Sequence, residues 1–291
     1  MAEIHGRESI TVLGCGLMGA GVARAFAEAE HTVSIWNRTP EKAQALTTIP
    51  GITMGHSPAS ACGANTIVSV LEGYDAVRTV LQRVPDLRGK TIVNLSTGSR
   101  QDAFEMNAWI GSRGAKYLDG TILCYPQNIG TPEGLVVYSG SQSVFKEHAH
   151  QLMTLGRESR YVSDEIGGAN IAAMSSAFFI TALAAFAESV PYILKSGISS
   201  VDIQAIAESL ISRLPEQIAG LAEAVETQEF DTDEANVNGY SNAVKSFREA
   251  MTKAGTNTVL MAATEQLLAK AQQEGFGNLA MASVAHVNSD E

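Results

Sequence analysis

Residues 9–36, SITVLGCGLMGAGVARAFAEAEHTVSIW, decide the fold. Ser9–Leu13 is a short run of β-favouring residues, and Thr32–Trp36 is a second. Between them, Gly14-Cys15-Gly16-Leu17-Met18-Gly19 leads straight into AGVARAFAEAEH, whose apolar residues recur at helical spacing. Strand, G-x-G-x-x-G, helix and strand within about 30 residues form a phosphate-cradling unit. The first glycine makes a tight turn and the second lets the backbone approach a pyrophosphate. The third allows close helix–strand packing. The helix N-terminus then faces the phosphates. This predicts a dinucleotide site built from Gly14, Gly16, Leu17, Met18 and Gly19.

The end of the second strand selects the dinucleotide. An NAD-preferring site usually places Asp or Glu there to bind the ribose 2′-hydroxyl. Here the residues are Asn37-Arg38-Thr39-Pro40-Glu41-Lys42. The Arg38 guanidinium suits stacking on adenine and pairing with a 2′-phosphate. Thr39 adds a hydroxyl, and Lys42 adds a second positive charge one turn on. The expected cofactor is NADP(H), with Asn37, Arg38, Thr39 and Lys42 around it.

Alternation continues downstream. Thr66–Val70, Lys90–Leu95, Lys116–Asp119, Leu135–Ser139 and the pair Tyr161-Val162 read as strands. Helices are expected over Asp75–Val84, after Gly98 and from Ser143. The pattern predicts an α/β protein with a Rossmann-type, doubly wound parallel sheet over residues 1–165. Its crevice would lie at the strand C-terminal ends, lined by Gly14–Met18, Asn37–Thr39, Leu71–Tyr74 and Asn94–Gly98.

Residues 167–195, GGANIAAMSSAFFITALAAFAESVPYILK, carry no charge until Glu188. Ile171, Met174, Phe178, Leu183 and Phe186 recur at helical spacing. A helix to Ser189 would span about 33 Å. That is enough to cross a bilayer. The run is nevertheless rich in Ala, Ser and Gly, carries Asn170, and lacks an aromatic belt or basic flank. It is expected to be a buried axle over residues 166–195, in a protein of the soluble fraction. Residues 196–291 read as helical, over Ser200–Leu210, Leu214–Val225, Ala235–Ala254, Thr258–Glu274 and a short Asn278–Val287. Glu226–Glu234 reads as a solvated loop, and Asn288–Glu291 as a frayed tail.

The net charge of −11 and the lack of a Lys/Arg run argue against a nucleic-acid partner. Cys15, Cys62 and Cys124 form no C-x-x-C pair, which suits reduced thiols in the cytoplasm. No apolar signal segment opens MAEIHGRESI. His148 and His150, two apart on a helix, diverge, so surface histidines are expected and no metal site. Ser96-Thr97-Gly98 lacks a G-x-S-x-G elbow or a paired histidine.

Residues 12–26, VLGCGLMGAGVARAF, and 31–43, HTVSIWNRTPEKA, resemble the β-hydroxyacid dehydrogenase superfamily. Asn37-Arg38-Thr39, Asn94–Gly98, Tyr125–Gly130 and Val137–Gly140 look more like its imine reductase and reductive aminase branch. The resemblance runs nearly end to end, in the C-terminal half mainly by pattern. It implies an NADPH-binding Rossmann domain, a long interdomain helix and a helical, 6-phosphogluconate dehydrogenase-like C-terminal domain for dimerisation. It also implies a homodimer with intertwined C-terminal domains, each cleft lying between one subunit's cofactor and its partner's helices. The implied activity is NADPH-dependent reduction of a small imine or iminium to an amine. Alternatives are a carbonyl or β-hydroxyacid-type reductase, or a non-catalytic NADP(H)-binding protein. Leu71 and Asn94 join the expected cofactor site. Ser96, Tyr125, Asn170, Met174, Phe178, Leu210 and Tyr240 make the expected substrate pocket.

The resemblance sharpens one position. Hydroxyacid dehydrogenases of the superfamily carry a Lys near the start of the interdomain helix, and the aligned residue is Met174. No Lys lies between Lys146 and Lys195. Lys195 is about 31 Å further along a helix axis. Without a base, alcohol oxidation is disfavoured. Imine reductases commonly place Asp or Tyr there, so Met174 departs from that pattern too; a thioether cannot donate a proton. A preformed iminium needs no proton on nitrogen. It needs a positioned nicotinamide, a dry pocket and a polar group to orient the nitrogen. Asn94 is the candidate for orientation, Met174 for the pocket wall and Tyr240, ahead of Tyr125, for any proton donation.

Overall fold

The computed structural model describes residues 8–287. They form two compact units, the first ending at Ala177 and the second starting at Phe178. The first unit holds one eight-stranded sheet: β1 (Ser9–Leu13), β2 (Thr32–Trp36), β3 (Ile52–Met54), β4 (Thr66–Ser69), β5 (Thr91–Asn94), β6 (Lys116–Ile122), β7 (Val136–Gly140) and β8 (Arg160–Ser163). Their order is β3-β2-β1-β4-β5-β6-β7-β8. The chain works outward from β1 to β3, then returns to the other side of β1 through β4. That reversal opens a crevice at the C-terminal ends of β1 and β4.

The helices of this unit are α1 (Leu17–Glu28), α2 (Pro40–Gln44), α3 (Pro58–Ala61), α4 (Tyr74–Leu81), α5 (Arg100–Ser112), α6 (Gln142–Leu152) and α7 (Gly168–Ala172). The period-two alternation of each strand builds a core on both faces. Val12, Ile35, Val68, Val93 and Leu118 pack with Val22 and Phe26 of α1. Leu13, Trp36, Ile67, Ile92 and Tyr117 pack with Val77 and Leu81 of α4 and Met106 and Ile110 of α5.

Several local expectations need correction. The sheet is parallel except at β6–β7, which run antiparallel. Residues 123–135 join them without a crossover helix, which an antiparallel pair does not require. β6 extends past Asp119 to Ile122, and β3 is an additional edge strand. The long apolar run is also not one uniform α-helix. A 3₁₀ turn, Ala173–Ser175, separates α7 from α8 (Ser176–Lys195). The hydroxyls of Ser175 and Ser176 donate back to the carbonyls of Ala172 and Ala173, at 2.7 and 2.6 Å, which tightens the turn. Residues 168–195 are long and apolar enough to cross a membrane by length and composition, and within the chain they are largely exposed rather than buried.

The second unit takes α8 from Phe178 onward, with α9 (Ser200–Ile211), α10 (Leu214–Thr227), α11 (Val237–Lys253) and α12 (Val259–Gln273). The short C-terminal helix is a 3₁₀ turn, Met281–His286, and the expected frayed tail lies outside the described residues. Val237, Leu268 and Ala271 form a small core with Val244, Phe276 and Met281. The two charged residues of α8 fasten it. Glu188 accepts from the Leu260 and Met261 amides at 2.9 and 3.0 Å, capping α12. Lys195 donates to the Ala254 carbonyl at the end of α11, at 2.8 Å.

Candidate active site

The three motif glycines divide their work as the spacing predicts. Gly14 has φ +103°, and a Cβ there would stand 2.1 Å from the Val70 carbonyl oxygen. Only glycine fits that crossing between β1 and β4. A Cβ on Gly19 would lie 2.0 Å from the Gly14 carbonyl oxygen, so α1 packs directly on the turn. A Cβ on Gly16 would meet nothing within 4 Å. Gly16 is also the N-cap of α1 and offers no side-chain cap, leaving the first amides of the helix open. An open backbone face and uncapped helix amides suit a pyrophosphate. Leu17 is 81% exposed beside it, and Met18 is partly buried.

Asn37 braces this loop. Its Oδ1 accepts from the Cys15 amide at 2.9 Å, and its Nδ2 donates to the Thr39 carbonyl at 2.9 Å. That locks the glycine turn to the end of β2. Arg38, Thr39 and Lys42 are exposed there. Glu41 is the only acidic residue from 37 to 42 and sits in the first turn of α2, so the position right after β2 carries an amide rather than a carboxylate. These groups suit a 2′-phosphorylated dinucleotide.

Across the switch point, Asn94, Leu71 and Ser96 gather. Asn94 is fully buried at the end of β5. Its Oδ1 accepts from Ser69 Oγ at 2.9 Å and from the Ser96 amide at 3.2 Å. Its Nδ2 donates to Tyr117 Oη at 3.3 Å. Ser96, also buried, accepts from the Leu71 amide at 3.0 Å. The structure therefore makes Asn94 and Ser96 fixed elements of the crevice floor. Tyr125 is exposed at the N-cap of a 3₁₀ turn, Pro126–Asn128, and Gly21 of α1 packs against that turn.

Asn170 is buried in α7. Its Oδ1 accepts from Thr121 Oγ1 at 3.1 Å, and its Nδ2 donates to Tyr74 Oη at 2.8 Å and to the Ser99 carbonyl at 3.3 Å. One turn on, Met174 is 68% exposed. Phe178, Leu210 and Tyr240 belong to the second unit: Phe178 and Leu210 are exposed on α8 and α9, and Tyr240 is partly exposed in the first turns of α11.

The group that links these amides is not among the site residues expected from the sequence. Asp119, fully buried in β6, accepts from Tyr74 Oη at 2.6 Å and Tyr117 Oη at 2.7 Å. Burial pushes its carboxyl up to about 6, against the downward pull of the two phenol donors. Burial likewise holds both phenols above the ordinary tyrosine range, so they stay protonated and donate. A signal was present: an aspartate in the middle of an interior strand, KYLDGTI, is rarely left unpaired.

His148 also departs from expectation. It is buried, with Nδ1 3.2 Å from Thr66 Oγ1 and Nε2 2.9 Å from Thr91 Oγ1. It locks α6 to the N-terminal ends of β4 and β5, away from the crevice. His150 pairs with Glu8 at 3.1 Å. Among the described residues no cluster of His, Cys, Asp or Glu is arranged to hold a metal.

The chain is similar to known proteins along nearly its whole length. Residues 9–167 match the family described as the NAD binding domain of 6-phosphogluconate dehydrogenase. Residues 169–290 match the one described as NADPH-dependent reductive aminase-like, C-terminal domain. An NADPH-dependent reductive aminase of Aspergillus oryzae is 27% identical over 285 residues, 92% of each chain. The structure of an imine reductase from Pseudomonas sp. superposes with a TM-score of 0.88 at 26% identity, covering 97% of this chain and 99% of that one. An imine reductase from Myxococcus stipitatus, in complex with NADP+, does so with a TM-score of 0.88 at 25% identity, over 96% and 99%. With its dinucleotide cradle and helical second unit, the chain belongs to the imine reductase and reductive aminase family, in which a 6-phosphogluconate dehydrogenase-type NAD-binding domain precedes a reductive aminase-like C-terminal domain.

Proposed function

We propose that this protein is an NADPH-dependent imine reductase that adds hydride to the carbon of a C=N bond in a small cyclic imine or iminium, giving the amine. The observation that carries the reading is Met174. It is an exposed thioether one turn after Asn170, and no lysine occurs between Lys146 and Lys195. Alcohol oxidation lacks its base there, whereas hydride addition to a cationic iminium needs none.

When bound, NADPH supplies the hydride. The rest falls to the chain. Gly16 and the open N-terminus of α1 hold the pyrophosphate, and Arg38 and Lys42 meet the 2′-phosphate. Asn37 keeps the glycine turn in register. Asn94 and Ser96 fix the crevice floor. Met174 contributes an apolar wall that excludes water and strengthens the remaining polar contacts.

The assembly we infer is a homodimer in the cytoplasm. Phe178, Phe179, Ile180, Leu183 and Phe186 of α8 and Leu210 and Ile211 of α9 are exposed in the single chain. Soluble monomers rarely leave such contiguous apolar surface open. A second copy covers it with helices of the same kind. All three cysteines are free thiols, in keeping with a reducing compartment.

The test follows loss of nicotinamide absorbance with NADPH and a small cyclic imine, run beside NADP⁺ with a β-hydroxyacid. Turnover of the imine supports the reading. Turnover of the acid alone, or cofactor binding with no turnover of either, overturns it.

A further inference from the structure

Asp119 stands at the centre of a hydrogen-bond chain that the reaction described above does not use. One oxygen, Oδ1, takes both phenol donors, Tyr74 from α4 at 2.6 Å and Tyr117 from its own strand at 2.7 Å. The other, Oδ2, is buried with no hydrogen-bond partner. Each phenol oxygen in turn accepts from an amide: Tyr117 from Asn94 and Tyr74 from Asn170. The ring of Tyr74 is held by close approach of Gly98, where a Cβ would lie 2.2 Å from it. One carboxylate thus ties the strand-end amide to the amide one turn before Met174. Sequence separation hides this, since Tyr74 and Asn170 are 96 residues apart.

We propose that Asp119 is a positioning residue whose ionisation holds Asn94 and Asn170 in place, and whose protonation slackens both. The ionised carboxylate gives two charge-assisted bonds. Polarised phenols are then better acceptors for the two amides. Adding a proton removes the charge assistance from every link at once. The unpartnered Oδ2 is the atom that takes the proton, because a neutral hydroxyl is less costly there than a bare buried charge. The carboxyl is already raised to about 6, so the change falls near neutrality.

The titratable groups facing Asp119 are the two phenols. β5 and β7 place Asn94 and Ser139 opposite it, and α7 adds Asn170. The charged residues of α4 and α5 (Asp75, Arg78, Arg100, Asp102, Glu105) and of α6 (Lys146, Glu147, His148, His150) are not among the groups that shift it.

The functional half rests on imine reduction, so the test has one arm without turnover. Carboxyl-¹³C-aspartate labelling with NMR, assigned by Asp119→Asn, follows the carboxyl against pH. The proposal expects one aspartate signal that titrates near pH 6 and disappears in the variant. It also expects the Tyr74 and Tyr117 ring resonances to move with that titration. In the second arm, kcat for a cyclic imine shows an acid limb near the same pH in the wild type, with KM for NADPH unmoved. In Asp119→Asn the limb is lost and kcat sits about tenfold lower. Tyr117→Phe lowers kcat and keeps the limb, since Tyr74 still reads the carboxyl. An aspartate signal that stays at the ordinary value, or tyrosine rings that ignore the titration, overturns the proposal whether or not the enzyme turns over. A titrating carboxyl with an unchanged acid limb in Asp119→Asn overturns the positioning role. A titrating carboxyl with no imine turnover leaves the proton switch standing and removes the reaction.

Discussion

Gly14 and Gly19 are in backbone contact: a methyl group on Gly19 would stand 2.0 Å from the Gly14 carbonyl oxygen. Gly16, between them, has open space around the same position. One motif therefore contains two structural glycines and one reserved for a ligand. Gly19→Ala is expected to cost about 2 kcal/mol or more, because backbone must move apart. Gly16→Ala is expected to change stability by no more than about 0.5 kcal/mol. It should still weaken NADPH binding about tenfold or more, since its methyl occupies the pyrophosphate's approach. Melting curves and a fluorescence titration with NADPH separate the two. Equal melting temperatures for both variants would contradict the division.

Arg38 is exposed beside Thr39, and the Asn37 amide just before it is spent on the Cys15 backbone. The guanidinium is thus free to meet a 2′-phosphate alongside Lys42. Arg38→Ala is expected to remove about 1.5–3 kcal/mol of binding, as for other hydrogen bonds to a charged group. In affinity that is about tenfold to a hundredfold for NADPH. NADH has no phosphate to lose and should bind as before. Paired titrations check the difference, and a parallel loss for both dinucleotides would place Arg38 on the adenine instead.

Much of this was legible before the structure. The glycine spacing and period-two strands identify the cradle because local geometry alone demands those residues. Arg38 was legible for the same reason, sitting two residues past a strand. Asp119 was not, because its meaning depends on Tyr74 from another element and on β6 running deeper than four residues. His148 misled because charge and spacing suggest a surface, while the two threonines that hold it come from strands 82 and 57 residues away. The apolar run 167–195 suggested burial, yet its exposure within one chain depends on what covers it. Sequence periodicity reports an apolar face and is silent on whose surface meets it.

His148 makes the fold acid-sensitive. Burial holds its imidazole below the ordinary 6.5, so the folded state keeps it neutral where the unfolded chain takes a proton. The unfolded state then binds more protons, and stability falls as pH drops. The contribution is complete above 6.5 and is lost progressively below it. His148→Gln keeps a polar side chain between Thr66 and Thr91 and removes the titration. Its stability should lie below wild type near neutrality and vary less between about pH 5 and 7. Urea unfolding across that range measures it. A variant with the wild-type slope would assign the acid sensitivity elsewhere.

Asp119 acts with the opposite sign. Its carboxyl titrates at about 6 folded and near 3.8 in an ordinary setting. Between those values the folded state binds the extra proton. Its contribution is therefore greatest below 3.8 and declines as pH rises through 6. The decline amounts to about 3 kcal/mol at most, from about two pKa units. Asp119→Asn should gain stability relative to wild type as pH rises across this window, while His148→Gln loses its disadvantage as pH falls. Measuring both variants separates the two slopes, which enter the wild-type curve with opposite sign. A flat Asp119→Asn difference curve would mean that the folded carboxyl titrates normally.

Met174 tests the chemistry most directly. At 68% exposed, in the 3₁₀ turn just before α8, it can be exchanged without disturbing a core. Met174→Asp is expected to alter stability by no more than about 0.5 kcal/mol. It places a proton-carrying group where the wild type has a thioether that carries none. With neutral imines, kcat should rise about tenfold at acid pH, with the gain following the fraction of protonated carboxyl and fading as pH climbs above the ordinary carboxylate range. With a permanently charged N-alkyl iminium, which needs no proton, kcat should not rise. An unchanged rate in Met174→Asp with neutral imines would mean that no proton donor is missing at this position, and would leave Met174 as the pocket wall alone.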